Sequence, residues 1–186
     1  MNAMKKFLIA TLLLLVMSGA TLAADKPKVI VIVPDISQDI YEHTDFRMNL
    51  FAADLLMYEQ HLIVSDLVDS KKIVVYDFES AFDQKLNVED FIKKYGIQYI
   101  VKADIKFVNT NILPDQNLGF YLSEASVSLS LIDAKTQEIL FATNTRGKAE
   151  CKEPTERQGT IEFDAVSSAT KKATDELLKY FYTPVR

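Results

Sequence analysis

Residues 118–140 read LGFYLSEASVSLSLIDAKTQEIL, and their alternation decides the fold class. Ala125, Val127, Leu129 and Leu131 are interleaved with Ser126, Ser128 and Ser130, the period of a strand with one dry face and one wet face. Asp133, Ala134, Lys135 and Thr136 supply a tight turn, so Gln137 to about Lys148 is expected to return as the partner strand of a hairpin. The pattern has one fault. Phe120 and Leu122 fall in the outward set with the serines. Either a β-bulge near Ser123 and Glu124 shifts the phase, or Leu118, Phe120 and Leu122 form an apolar surface patch, a candidate partner-binding surface.

Upstream, Ile97 onward also has a period of two. Tyr99, Val101, Ala103, Ile105 and Phe107 share one side, and Gln98, Lys102, Asp104 and Lys106 mostly fill the other. Val29 to Val33 is a β-branched run closed by Pro34, which predicts a central strand buried on both faces, and Lys72 to Asp77 predicts a second. Pro34 to His43 is polar and irregular. Thr44 or Asp45 can cap a helix running to about Asp69, with Leu50, Phe51, Leu55, Tyr58, Leu62 and Val68 as its apolar residues. Asn87 caps a short helix, Val88 to Tyr95, which Gly96 stops. A polar loop with Cys151, Pro154 and Gly159 leads to a closing helix from about Ile161 to Phe181. Its stripe of Val166, Ala169, Ala173, Leu177 and Phe181 lies opposite Lys171, Lys172, Asp175 and Lys179. The order βαβαβββα predicts an α+β fold, an α/β sandwich in which helices pack on a mixed, mostly antiparallel sheet.

At the N-terminus, Lys5 and Lys6 precede the apolar run Phe7 to Met17 and the small-residue stretch Ser18 to Ala24. This order predicts a secretory signal peptide over residues 1–23, because the apolar core is shorter than the roughly 20 residues of a spanning helix. Residues 24–186 are then expected to form one domain in the periplasm, with no stable membrane insertion after cleavage. The only cysteine, Cys151, is far from the position at which a bacterial lipoprotein is acylated, and no internal disulfide can form. Loss of Lys5 and Lys6 takes the formal charge of −5 to −7, a balance that repels nucleic acid and anionic headgroups.

Signatures of catalysis are sparse. Gly96, Gly119, Gly147 and Gly159 are too scattered for a phosphate-cradling loop, and there is no G-x-S-x-G elbow. His43 and His61 stand 18 positions apart, without the spacing that sets two ligands on one helix face. Asp35 and Asp39 begin like a calcium loop, but Ile40 and Phe46 occupy the places of its glycine and its bidentate glutamate. Asp77, Glu79 and Asp83 read as a solvated loop, and Cys151 has the charged neighbours of a surface position. No catalytic residue, cofactor or metal is therefore expected.

The segment Tyr99 to Asp104 (YIVKAD), the run Leu131 to Leu140 (LIDAKTQEIL) and the Ala-rich closing helix resemble the domain shared by curli-secretion channel lipoproteins and the lipoprotein activators of penicillin-binding proteins. That domain is related to the N-terminal domain of TolB. The resemblance spans about Lys28 to Tyr182 and implies an envelope assembly or regulatory domain that works by binding another envelope protein through its sheet face or hairpin. It is compatible with a homo-oligomer. Relatives of both kinds are usually lipid-anchored, which this chain lacks the cysteine for, and the only long strands here are already needed for the domain sheet, so a pore is not expected. Two other classes stay open: a carrier of a small apolar ligand near Phe107, Phe120, Tyr121 and Phe141, and a hydrolase built on scattered carboxylates.

Overall fold

The computed structural model describes residues 26–32, 35–36, 46–77, 86–114, 119–151 and 161–182; for 35–36, 46–53, 107, 109–114 and 119–120 it describes the backbone alone. The elements in chain order are β1 (Lys28–Val31), β2 (Asp35–Ile36), α1 (Phe46–Asp69), β3 (Val74–Asp77), α2 (Val88–Tyr95), β4 (Tyr99–Pro114), β5 (Gly119–Asp133), β6 (Ile139–Cys151) and α3 (Ile161–Tyr182). The expected order therefore holds, with β2 as an addition inside the stretch read as irregular. The signal-peptide segment, residues 1–23, lies outside the described residues.

The sheet runs β3-β1-β4-β5-β6, and β2 pairs with β4 beyond the end of β1. β1 is parallel to both β3 and β4, whereas β4, β5 and β6 form an antiparallel meander. Both parallel crossovers carry a helix, as short parallel strands require. Val29, Ile30 and Val31 are fully buried, as befits a β-branched run covered on both faces.

Helices α1 and α3 lie together on one face. Their core joins Val29, Val31, Val101, Ala103, Leu129 and Leu131 of the sheet to Ile63 and Leu67 of α1 and Ala173 and Leu177 of α3. It continues through Leu55, Ile105, Ala125, Val127, Ala165, Val166 and Ala169. Helix α2 lies on the opposite face, where Phe91 packs with Ile30, Ile97 and Ile100. Asn87 accepts from the backbone N–H of Asp90 at 2.8 Å, and Gly96 takes the left-handed conformation (φ 62°), so both ends of α2 are capped as its sequence predicts.

Two sequence expectations are corrected. The helix α1 buries Leu55, Glu59, Ile63 and Leu67, while Val68 is 50% exposed and Tyr58 and Leu62 are half-buried. The inward stripe is thus rotated from the one drawn through Tyr58, Leu62 and Val68, because a carboxylic acid occupies one of its positions. In β5 the inward set runs without interruption through Ser123, Ala125, Val127, Leu129 and Leu131, so no bulge occurs at Ser123 and Glu124. The irregularities sit in the neighbouring strands. One falls between Ile105 and Phe107 of β4, after which Val108 is the residue packed on the helix side, and the other leaves Leu140 of β6 unpaired.

Candidate binding surface

The two faces of the sheet are covered unequally, and this inequality makes the candidate site. Helix α2 reaches β3, β1, the start of β4 and the end of β5 through Tyr76, Ile32, Ile100 and Ile132. Over the remainder of that face, on β4, β5 and β6, no described element packs. Its exposed side chains follow from strand alternation: even-numbered residues of β5 and β6 point there because the odd-numbered ones are committed to α1 and α3.

Three short side chains form the floor. Ser126, Ser128 and Ser130 lie along β5 between the longer residues of its neighbours. The pairing sets Ser130 between Lys102 and Ala142, Ser128 between Asp104 and Asn144, and Ser126 between Phe107 and Arg146. Ser126 Oγ lies 2.7 Å from Asn144 Oδ1, to which it donates, and Ser130 Oγ donates to the Lys102 carbonyl at 3.3 Å. The walls are charged. Asp104 lies 3.7 Å from Lys102 and 3.2 Å from Lys106, and Lys148 pairs with Glu124 across the strands. The lysine side chains keep 44%, 41% and 64% of their surface exposed, so these pairs are solvated and add little stability. A trough with hydroxyl and amide groups on its floor and alternating charges on its rims can recognise a polar surface by hydrogen bonds.

Of the sequence-predicted patch, Leu118 lies outside the described residues. Phe120 is described for its backbone alone, which pairs with Leu113. Leu122 is half-buried, between Asn111 and Glu150 at the far end of the trough. The hairpin turn that carries the family resemblance is held by Asp133, whose Oδ1 accepts from the N–H groups of Lys135 and Thr136, each at 2.8 Å. These two bonds, Thr136 first, hold the Asp133 carboxyl below its ordinary range.

Of the residues weighed for chemistry, the structure brings His61 and Asp77 to the lining of one open pocket and leaves Cys151 at the end of β6. His61 is exposed on α1, beside an open pocket that Met57, Tyr58, Gln60, Val64 and Asp77 also line. Asp77 ends β3, and Cys151 is half-buried at the end of β6 opposite Tyr121. His43, Asp39, Glu79 and Asp83 lie outside the described residues. Among the described residues no three His, Cys, Asp or Glu side chains come together as a metal site would need, and no helix is long and apolar enough to cross a membrane.

Sequence reasoning missed Glu59. It is fully buried between the two apolar clusters, where its Oε1 accepts from the Thr170 hydroxyl of α3 at 3.5 Å, and its Oε2 has no hydrogen-bond partner among the described residues. Burial, reinforced by the negative charge of Asp104 and opposed by the Thr170 bond, pushes its pKa up to about 8. The spacing of four from Leu55 and to Ile63 was the available signal.

No protein-family model and no curated protein matches this sequence. Among solved structures, the chain is similar to a PelC dodecamer from Paraburkholderia phytofirmans, with a TM-score of 0.49 and 10% identity over 81% of this chain and 90% of that one. It is also similar to a hypothetical protein from Chlamydia trachomatis (TM-score 0.49, 10% identity, 84% and 95% of the two chains) and to a lipoprotein from Neisseria meningitidis (0.42, 10%, 84% and 98%). At these values the likeness is one of outline and assigns no activity.

Proposed function

We propose that this chain is a non-enzymatic binding protein of the cell envelope, exported by its N-terminal segment, which holds another envelope protein on the uncovered trough of β4, β5 and β6. One observation carries the reading. Among the described residues, a single sheet has one face closed by two helices, while its opposite face is closed by α2 at one end and lined at the other by Lys102, Asp104, Ser128, Asn144 and Arg146. The resemblance of the YIVKAD segment, the LIDAKTQEIL turn and the closing helix to envelope assembly domains supports the same class, as does the basic, apolar and small-residue order of residues 5–24. A carrier of an apolar ligand is less well supported, since Phe141 is already engaged with Tyr180 at a ring separation of 5.6 Å.

Crosslinked pull-down from cells tests the reading. Charge reversal at the rims, Lys102→Glu with Arg146→Glu, should leave the melting temperature within a few degrees and abolish capture of the partner. A second variant, Phe120→Ser with Leu122→Ser, extends the test to the end of the trough. Retention of the partner by both variants would remove this face from the functional account.

A further inference from the structure

Helix α1 has a side that the core does not use. Leu55, Glu59, Ile63 and Leu67 turn inward, whereas Met57, His61 and Val64, spaced by four and three, share the side away from that stripe, with Gln60 between the two. Met57, Tyr58, Gln60, His61 and Val64 line an open cavity of about 370 Å³ together with Asp77. Small-molecule sites span about 300–1,000 Å³, so the space suits a small ligand. Asp77 is the last residue of β3, which runs parallel to β1. The cavity therefore stands at the carboxyl end of a parallel strand, the end at which open sheets of this kind hold their ligands.

Gln60 marks the cavity as a site. It is only 8% exposed, yet its side-chain amide has no hydrogen-bond partner among the described residues. A buried amide left unpaired is costly, and here it can be satisfied only by what enters the cavity. The Tyr58 hydroxyl and the His61 imidazole, on the same lining, are likewise without a hydrogen-bond partner among the described residues. The ring of Tyr58 is held edge to face against Phe163 of α3, with centroids 5.1 Å apart, so this wall is formed before any ligand arrives. Each of the three groups can both donate and accept, and the Asp77 carboxylate adds acceptors.

The lining also excludes ligand classes. Among the described residues it holds no lysine or arginine, so an anion would find no counter-charge and would meet the carboxylate of Asp77 instead. A purely apolar molecule would leave the Gln60 amide unpaired. We propose that this cavity binds a neutral sugar ring, whose hydroxyl groups pair with Gln60, His61, Tyr58 and Asp77 while its C–H face rests on Met57 and Val64. A sugar hydroxyl donates and accepts at one oxygen, which matches side chains that do the same. The cavity lies on the α1 side of the sheet and the trough on the α2 side, so the failure of one reading is separable from the failure of the other.

NMR titration tests the site on protein purified from cells making the full chain. Glucose, galactose and N-acetylglucosamine are added at millimolar concentrations, and at least one of them should move the amide resonances of residues 57–64 and 77. Gln60→Leu keeps the bulk of the buried side chain and removes an unpaired amide, so it should melt no lower than wild type and bind that sugar about tenfold more weakly. His61→Ala, at an exposed position, should weaken binding by a smaller factor. Glucose 6-phosphate should bind no better than glucose, and Lys102→Glu with Arg146→Glu, which alters only the trough, should leave sugar binding unchanged. The proposal is overturned if none of the sugars moves residues 57–64, if Gln60→Leu binds as well as wild type, or if the phosphate ester is preferred. Should Gln60→Leu fail to fold, wild-type affinity in His61→Ala overturns it.

Discussion

Helices α1 and α3 lie side by side on one face of one sheet and meet it by opposite means. Helix α3 comes close. Three of its inward residues are small, Ala165, Ala169 and Ala173, and the first two rest on Ala125 and Gly147 of the strands beneath. A methyl group on Gly147 would stand 1.9 Å from the carbonyl oxygen of Ala165 and 2.5 Å from the nitrogen of Ala169. The approach also lets Thr145 donate its hydroxyl to the Ala169 carbonyl at 2.7 Å. Helix α1 stands on larger side chains, Leu55, Ile63 and Leu67, and carries the buried Glu59 and Gln60 among them. Where the two helices touch, the seam is polar: Thr170 meets Glu59, and Thr174 donates to Asp66 at 2.8 Å. Close packing of small residues makes α3 intolerant of added volume, whereas an acid in the stripe makes α1 sensitive to pH.

Breaking the close approach should have the largest effect. Gly147→Val places side-chain atoms inside the backbone of α3, which cannot yield without lifting from the sheet, and no folded protein should be recovered. Circular dichroism of whatever is expressed checks this; a cooperative melt near that of wild type would mean that α3 does not rest on β6. Leu177→Ala, at a fully buried position of the same helix, should cost about 2–5 kcal/mol in denaturant unfolding.

The acid on α1 predicts a pH dependence that α3 does not share. Folding favours the protonated form of Glu59, so the native chain retains a proton that the unfolded chain releases near the ordinary value of 4.5. Its contribution is fully present below pH 4.5, falls as the pH rises toward about 8, and is constant beyond. A pKa raised from 4.5 to about 8 sets the loss at about 5 kcal/mol at most. Glu59→Gln should flatten the profile over this window, with its greatest gain over wild type above pH 8. Equal slopes for both proteins in urea melts at several pH values would show that Glu59 is solvated. The smallest effect belongs to the outer side of α3, where Lys171→Ala should change stability by less than about 0.5 kcal/mol.

The same contrast explains what was legible. The stripe of α3 could be read because each of Val166, Ala169, Ala173 and Leu177 is apolar and each is buried. That of α1 could not, because hydrophobicity is a guide to burial only while polar residues stay outside, and Glu59 does not. The candidate trough was half legible: the serines of β5 announced a wet face, but the residues flanking them come from other strands. Phe107 was assigned to the inward side by strict alternation, and the irregularity beside it passed that place to Val108.

By itself, the sequence determined every described strand and helix but the two-residue β2, where α2 is capped, how the hairpin turns at Asp133, and that the meander has one wet face. These depend on periodicity and on local backbone preferences, which act over a few residues. Only the tertiary structure decided that a glycine must stand at 147, that a carboxylic acid is buried at 59, that the irregularities fall in β4 and β6 instead of β5, and that α2 covers one end of its face and, among the described residues, leaves the other open. Each of these depends on contact between different elements of the fold, such as Glu59 of α1 with Thr170 of α3 or Gly147 of β6 with Ala165 of α3, and spacing within a single element carries no record of them.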